Sequence, residues 1–262
     1  MPGHPVRMEL IGETNVGMKR THNEDNFAII AEENLVVVAD GMGGHASGEV
    51  ASKMAIDAMR EFFEATAKDP DATWPYKMDK QRSYEENRLI TGVKLANLRI
   101  FEAAQREPRY RGMGTTLVVV FAAREGLIVG HVGDSRVYRI RNGAIDQLTE
   151  DHSLLNDYLK MRKLTEEEIA NFPHKNVIVR ALGMKDSVKV DSRLDHPSPG
   201  DIFLLCSDGL SGPVTDADML RIVEENKNDL KAAASRLIAR ANENGGPDNI
   251  TCCLVRWLGP AN

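Results

Sequence analysis

At 262 residues the chain is long enough to bury a sizeable core. Its 42% hydrophobic and 27% charged content is that of a globular protein, and the net charge of −6 gives no basic footprint for nucleic acid. No apolar run reaches the roughly 18 residues of a membrane span, no signal-peptide pattern opens the chain, and Cys206, Cys252 and Cys253 lack zinc spacing. The expectation is a cytoplasmic protein with reduced thiols in its core and neither membrane nor nucleic acid as partner.

The first elements read as short strands at Met8–Gly12, Phe27–Ala31 and Leu35–Ala39. A helix follows with Ser47 as its expected N-cap and runs to about Ala67. Its apolar residues Val50, Ala51, Met54, Ala55, Ala58, Met59, Phe62 and Phe63 recur at helical spacing. Beyond a proline-containing loop at Lys68–Lys80, a second helix carries Leu89, Val93, Ala96, Ile100 and Ala103, spaced alternately four and three apart.

Strands are then expected at Thr115–Ala122, Leu127–Val132 and Arg136–Ile140, with Asn142-Gly143 turning the chain into Ala144–Leu148. Such a meander argues against a doubly wound parallel sheet, which interleaves a helix after each strand. Leu154–Lys175 breaks the pattern: it carries a capping box, Thr165 with Glu168, among polar residues and Pro173, and reads as a surface excursion. Strands resume at Val188–Leu194 and Asp201–Cys206, followed by helices at Asp216–Glu225 and Leu230–Asn242 and a last strand from Ile250. Two helix pairs against antiparallel strands make an α+β layered sandwich in one domain, 1–262.

Two of these strands end alike, in Asp40-Gly41 and in Asp208-Gly209, and a third aspartate, Asp248, stands just before the run Ile250–Val255. One Asp-Gly pair reads as a hairpin turn. Three carboxylates at strand ends point instead to a shared acidic site, because a buried carboxylate is costly unless paired or bound to metal. Oxygen ligands select Mg²⁺, Mn²⁺ or Ca²⁺ over zinc or copper. Asp40, Asp208 and Asp248 with the Gly41 carbonyl suit one or two such ions, and two ions sharing a carboxylate can turn a bridging water into hydroxide near neutral pH. Glu24 and Asp25 stand ready to complete the shell, and Arg20 is suited to a two-pronged hold on phosphate. Taken alone, Arg20 is more often a solvated loop residue, Asp134 serves equally as a turn residue, and His131 and His152 read as structural.

Six segments occur in order: Arg20-Thr21-His22-Asn23-Glu24-Asp25-Asn26, Val38-Ala39-Asp40-Gly41-Met42-Gly43-Gly44-His45, Met113-Gly114-Thr115-Thr116, Val132-Gly133-Asp134-Ser135-Arg136, Ser207-Asp208-Gly209-Leu210 and Pro247-Asp248-Asn249-Ile250. Together they resemble the motif set of the type 2C metal-dependent serine/threonine protein phosphatases, in its bacterial form. The resemblance implies a four-layer α-β-β-α sandwich with two central antiparallel sheets and a centre of two Mn²⁺ or Mg²⁺ ions. By the same resemblance Asp40 bridges the ions, Gly41 offers its carbonyl, Asp208 and Asp248 hold the first ion, and Glu24 serves the second, largely through water. Asp25 would orient the attacking water, Arg20 would bind the substrate phosphate, and Asn249 would support the shell.

The implied reaction is attack of a metal-bridging hydroxide on the phosphorus of phosphoserine or phosphothreonine, without a phosphoenzyme. Asp134 matches a position that helps hold a weaker third ion, although Gly212 stands where some members place a further ligand. Members of the animal type carry a histidine directly after the Asp-Gly pair; here that residue is Met42, and His45 either donates the proton to the leaving group or packs at the helix start. The excursion at 154–175 matches the family's flap beside the site and either selects substrates or is a plain surface loop. The implied partners are phosphorylated proteins, targets of a serine/threonine kinase. The alternatives are a metal phosphoesterase for small molecules and a non-catalytic phosphoprotein-binding module.

Overall fold

The computed structural model of the chain describes residues 6–44, 47–69, 72–162, 164–165, 168–169, 172 and 177–260. The strands are β1 (Val6–Asn15), β2 (Asp25–Ile30), β3 (Leu35–Met42), β4 (Gly114–Thr115), β5 (Leu117–Ala123), β6 (Gly126–Val132), β7 (Arg136–Arg141), β8 (Ala144–Gln147), β9 (Asp191–Asp195), β10 (Ile202–Cys206) and β11 (Ile250–Pro260). The helices are α1 (Ser47–Lys68), α2 (Tyr84–Arg106), α3 (Leu154–Met161), α4 (Asp208–Ser211), α5 (Asp216–Glu225) and α6 (Leu230–Glu243).

One sheet runs β1-β11-β10-β7-β8 and the other β2-β3-β5-β6-β9, and every pairing within them is antiparallel. The continuous apolar runs of β3, β5, β6, β10 and β11 follow from burial on both faces. Along β3 the side chains alternate: Val36 and Val38 enter the core between the sheets, while Leu35, Val37 and Ala39 pack under α1 and α2. On the other sheet Phe203 and Leu205 face inward and Leu204 and Cys206 face α5 and α6. Three apolar layers therefore separate four structural layers, as the α+β sandwich requires. Among the described residues no helix is long and apolar enough to cross a membrane.

The hairpin at Asn142-Gly143 forms with both residues at positive φ, 51° and 74°, joining Arg141 to Ala144 in register. The expected capping box also forms: Glu168 accepts from the Thr165 amide at 2.8 Å while Thr165 Oγ1 accepts from the Glu168 amide at 3.2 Å. Three details depart from the sequence reading. Ser47 lies inside α1, and its hydroxyl donates to the Gly44 carbonyl (2.7 Å) rather than capping an amide. The strand expected at Val188–Leu194 is Asp191–Asp195, a sheet edge whose pairing is set by β6 and not by its own polar sequence. Asp208 to Ser211 form the short helix α4, so the carboxylate at the end of β10 sits in a helical first turn.

Phe203 is fully buried at the centre of the inter-sheet layer. Phe203→Ala should cost about 3–5 kcal/mol of stability through lost burial and the cavity left behind, read as a shift in the urea midpoint.

Candidate metal centre

The two sheets contribute to one end of the sandwich in equal measure. In the first pair of β2 with β3, Asp25 lies opposite Asp40. In the other sheet the last pair of β10 with β11 is Cys206 with Cys252, and beyond it the Ser207 amide still donates to the Thr251 carbonyl at 3.1 Å. Asp208 follows on one strand and Asp248 precedes the other. Asp134 occupies the turn from β6 to β7, where the chain crosses between sheets. The structure thus brings Asp25, Asp40, Asp134, Asp208 and Asp248 into one electrostatic group, with Glu24 and Arg20 at its rim.

The glycine after each strand-end aspartate is explained by space rather than by a left-handed turn, since neither Gly41 nor Gly209 has positive φ. A Cβ on Gly41 would stand 2.1 Å from the Gly48 carbonyl oxygen, and one on Gly209 would stand 1.8 Å from that of Asn249. Asn249 anchors the rim: its Oδ1 accepts from the Glu24 amide (2.8 Å), and its Nδ2 donates to the carbonyls of Val16 and His22 (2.9 Å each). The loop that carries Arg20, Glu24 and Asp25 is thereby tied to the start of β11.

Burial and mutual repulsion work against ionising these groups together. Burial, reinforced by Asp25, Asp208, Asp134 and Asp248, raises Asp40 well above the carboxylate range. Asp25 is pushed up to about 6 by burial, against hydrogen bonds from Thr251 and Ser207. Asp134 is pushed up to about 7 by burial and by the Asp208 charge. Asp208 is raised by burial and by Asp248, while the Asp40 carboxyl hydrogen-bonds to it. Glu24 is raised by burial, partly offset by Arg20.

These groups have few internal counter-charges. Arg20 Nη2 pairs with Asp248 Oδ2 at 2.7 Å, and both side chains are partly exposed. Ser207 Oγ donates to Asp25 Oδ2 (2.7 Å) and accepts from the Thr251 amide (3.0 Å). Asp134 Oδ1 is buried with no hydrogen-bond partner. A set of converging carboxylates, one with an orphaned oxygen, fits a hard cation.

Ser207, Thr251 and Thr116 were not read from sequence as site residues. Thr116 Oγ1 accepts from the Asp40 amide (3.1 Å), Thr115 Oγ1 donates to the Asp40 carbonyl (2.8 Å), and Thr116 Oγ1 shares a 2.7 Å bond with Ser135 Oγ. Thr116 and Ser207 lie within two of the six family-like segments, but no role attached to them there; Thr251 directly follows the last segment. His45 lies outside the described residues. Gly212 donates its amide to the Asp208 carbonyl at 2.7 Å and supplies no ligand of its own. Burial pushes the Cys206 thiol up to about 12 and raises Cys252 and Cys253, so the three thiols are inert core groups. A hollow lined by Arg141, Gly143, Asp201 and Arg256 lies at the opposite end of β7 and β10 and holds none of the acidic cluster.

The family profile described as protein phosphatase 2C matches residues 17–259. The serine/threonine phosphatase stp of Listeria innocua is 39% identical over 249 residues, which span 92% of this chain and 93% of that protein. Among solved structures, the serine/threonine phosphatase Stp1 from Staphylococcus aureus superposes with a TM-score of 0.84 at 31% identity, covering 98% of each chain. The catalytic domain of the serine/threonine protein phosphatase PstP, in complex with two manganese ions, superposes with a TM-score of 0.77 at 33% identity, covering 95% of this chain and 97% of that one. On sequence and fold together, this chain belongs to the protein phosphatase 2C family.

Proposed function

We propose that the protein removes phosphate from phosphoserine and phosphothreonine in protein substrates, with Mn²⁺ or Mg²⁺ held by the acidic cluster at the sheet ends. The observation that carries this reading is the convergence of five buried or part-buried carboxylates, drawn from both sheets, with Asp134 Oδ1 left unpartnered. Asp40, Asp208 and Asp248 with the Gly41 carbonyl would hold two ions, Glu24 would serve one of them from the rim, and Asp134 would hold a weaker third. Bound there, such ions activate water near neutral pH and offset the charge on phosphoryl oxygens.

The chain's own residues do the rest. Asp25, its Oδ2 anchored by Ser207, orients the attacking water. Arg20 uses one N–H on Asp248, which leaves its other donors for a phosphate oxygen. The water oxygen bonds to phosphorus, the bond from phosphorus to the seryl or threonyl oxygen breaks, and that oxygen takes a proton from His45 or from bound water. No thiol takes part. The part-exposed apolar side chains of α3, Tyr158 and Leu159, with the largely exposed Met161, offer contact surface to a protein substrate. Free buried thiols fit a cytoplasmic setting, opposite a serine/threonine kinase.

The first test is phosphate release from a phosphothreonine peptide with added Mn²⁺ and again with excess chelator. Release that depends on the metal is expected; none, from folded protein that binds Mn²⁺, would refute the reading. Asp40→Asn and Asp208→Asn should each reduce release to background while leaving the metal-free melting temperature equal or higher, since each removes a carboxyl whose ionisation burial disfavours. Arg20→Ala should raise KM about ten- to a hundredfold with a smaller change in kcat, the scale of one charged hydrogen bond.

Asp25 and Asp134 carry pKa values raised above those of the unfolded chain. Their contribution to the metal-free fold is therefore fully present below about pH 4 and is lost as pH rises through about 6 to 7. Cations must displace the same protons. The rise in melting temperature caused by Mn²⁺ should accordingly grow from about pH 5 to about pH 8. A rise independent of pH in differential scanning calorimetry would show that metal binding displaces no proton from these carboxyls and would exclude Asp134 as a ligand.

A further inference from the structure

Against the turn that carries Asp134 lies a second group of titratable residues: His131, His152 and Asp191, with Arg180. His131 and Asp191 face each other in the β6–β9 register, and the His152 ring stacks on that of His131 with centroids 4.7 Å apart and planes 17° from parallel. Three such side chains with ligand atoms in mutual reach resemble a cation site. Their hydrogen bonds are already committed elsewhere.

The Gly133 amide donates to His152 Nδ1 at 3.0 Å. A backbone amide can only donate, so Nδ1 is an acceptor and the ring proton sits on Nε2. Nε2 then donates to Asp191 Oδ2, 3.0 Å away. Arg180 Nη1 stands 2.9 Å from the same protonated nitrogen, so its partners are the other carboxylate oxygen, Asp191 Oδ1, at 3.2 Å and the Lys189 carbonyl at 3.3 Å. The guanidinium occupies the place a metal would need, and the cluster works as a chain of contacts from Arg180 through Asp191 to His152 and Gly133.

Gly133 is the residue before Asp134. Its φ of +108° is open to glycine, and a Cβ there would stand 2.6 Å from Thr116 Cβ. Its amide goes to His152 Nδ1 and its carbonyl accepts from the His152 amide at 2.9 Å, so one residue holds both backbone polar groups of Gly133, one in each of its flanking peptides. His152 is also where the excursion leaves and rejoins the body. Its carbonyl accepts from the Val179 amide (2.9 Å), the next residue Ser153 bridges Ile178, and the Leu154 amide donates to the Val177 carbonyl (2.9 Å).

We propose that His152, oriented by Asp191 and Arg180, is a positioning residue for Asp134: by holding both backbone polar groups of Gly133 it aims the Asp134 carboxylate, with its unpartnered Oδ1, into the acidic cluster, and it ties that aim to the stem of the 154–175 excursion. This rests on the reading of Asp134 as ligand to the weakest ion. His152 touches neither substrate nor ion; it acts through the backbone of its neighbour.

The test is Mn²⁺ titration by calorimetry of the whole protein and of four variants, with amide hydrogen exchange at Gly133 read in parallel. Asp134→Asn should remove the weakest binding event and leave the two tighter ones. His152→Ala should weaken that same event about ten- to a hundredfold, the usual effect of losing a residue that supports a ligand, and should speed Gly133 exchange. His152→Asn can still accept from the Gly133 amide and should retain the event, whereas His152→Gln reaches toward Asp191 instead and should lose it. If His152→Ala does not fold, the contrast between the Asn and Gln variants decides. Weak-site binding in His152→Gln equal to that of the parent would overturn the positioning role while leaving Asp134 a ligand. A weakest event that survives Asp134→Asn would overturn the reading of Asp134 and the inference with it.

Discussion

The structure depends on the repulsion among carboxylates that the fold forces together. Asp25, Asp134, Asp208 and Asp248 each raise the cost of ionising Asp40, in surroundings where burial already raises it. The internal offsets are small: one arginine on Asp248, and the hydroxyls of Ser207 and Thr251 on Asp25. Such a cluster persists only because the layers beneath it do not yield. Val36, Val38, Phe203 and Leu205 lock the sheets face to face, and helices cover the outer face of each.

Full coverage of both faces leaves the strand ends as the places where backbone and polar side chains can meet solvent. The acidic centre takes one such end. Its halves come from different sheets, with Asp25 and Asp40 from one and Asp208 and Asp248 from the other. Long-range contacts stitch the halves together: Ser207 reaches Asp25 and Asn249 reaches Glu24. A cation bound among them would be held by both sheets at once, so metal binding and sheet packing stabilise the same arrangement.

Much of this was legible in the residue order. The alternation in β3, the Asn142-Gly143 hairpin and the Thr165–Glu168 capping box are local patterns, and local patterns survive folding unchanged. Strand-end aspartates stood out because a charge at the close of an apolar run is costly without a partner. Less visible were features that exist only between distant residues. Nothing near Ser207 announces Asp25, and nothing near His152 announces Gly133 or Asp191. The need for glycine after Asp40 and Asp208 is of the same kind, since the backbone that crowds them arrives from Gly48 and Asn249. The edge strand β9 was misplaced by three residues at its start because its pairing comes from β6 and not from its own side chains.

The crossing at Gly133 to Ser135 is short: β6 ends in one sheet at Val132 and β7 begins in the other at Arg136. Ser135 and Thr116 join hydroxyls there, and Thr116 in turn holds the Asp40 amide. A chain that passes from sheet to sheet in three residues has no slack. Asp134 sits at the middle of that crossing, so the placing of its carboxylate is bound to the placing of one sheet against the other.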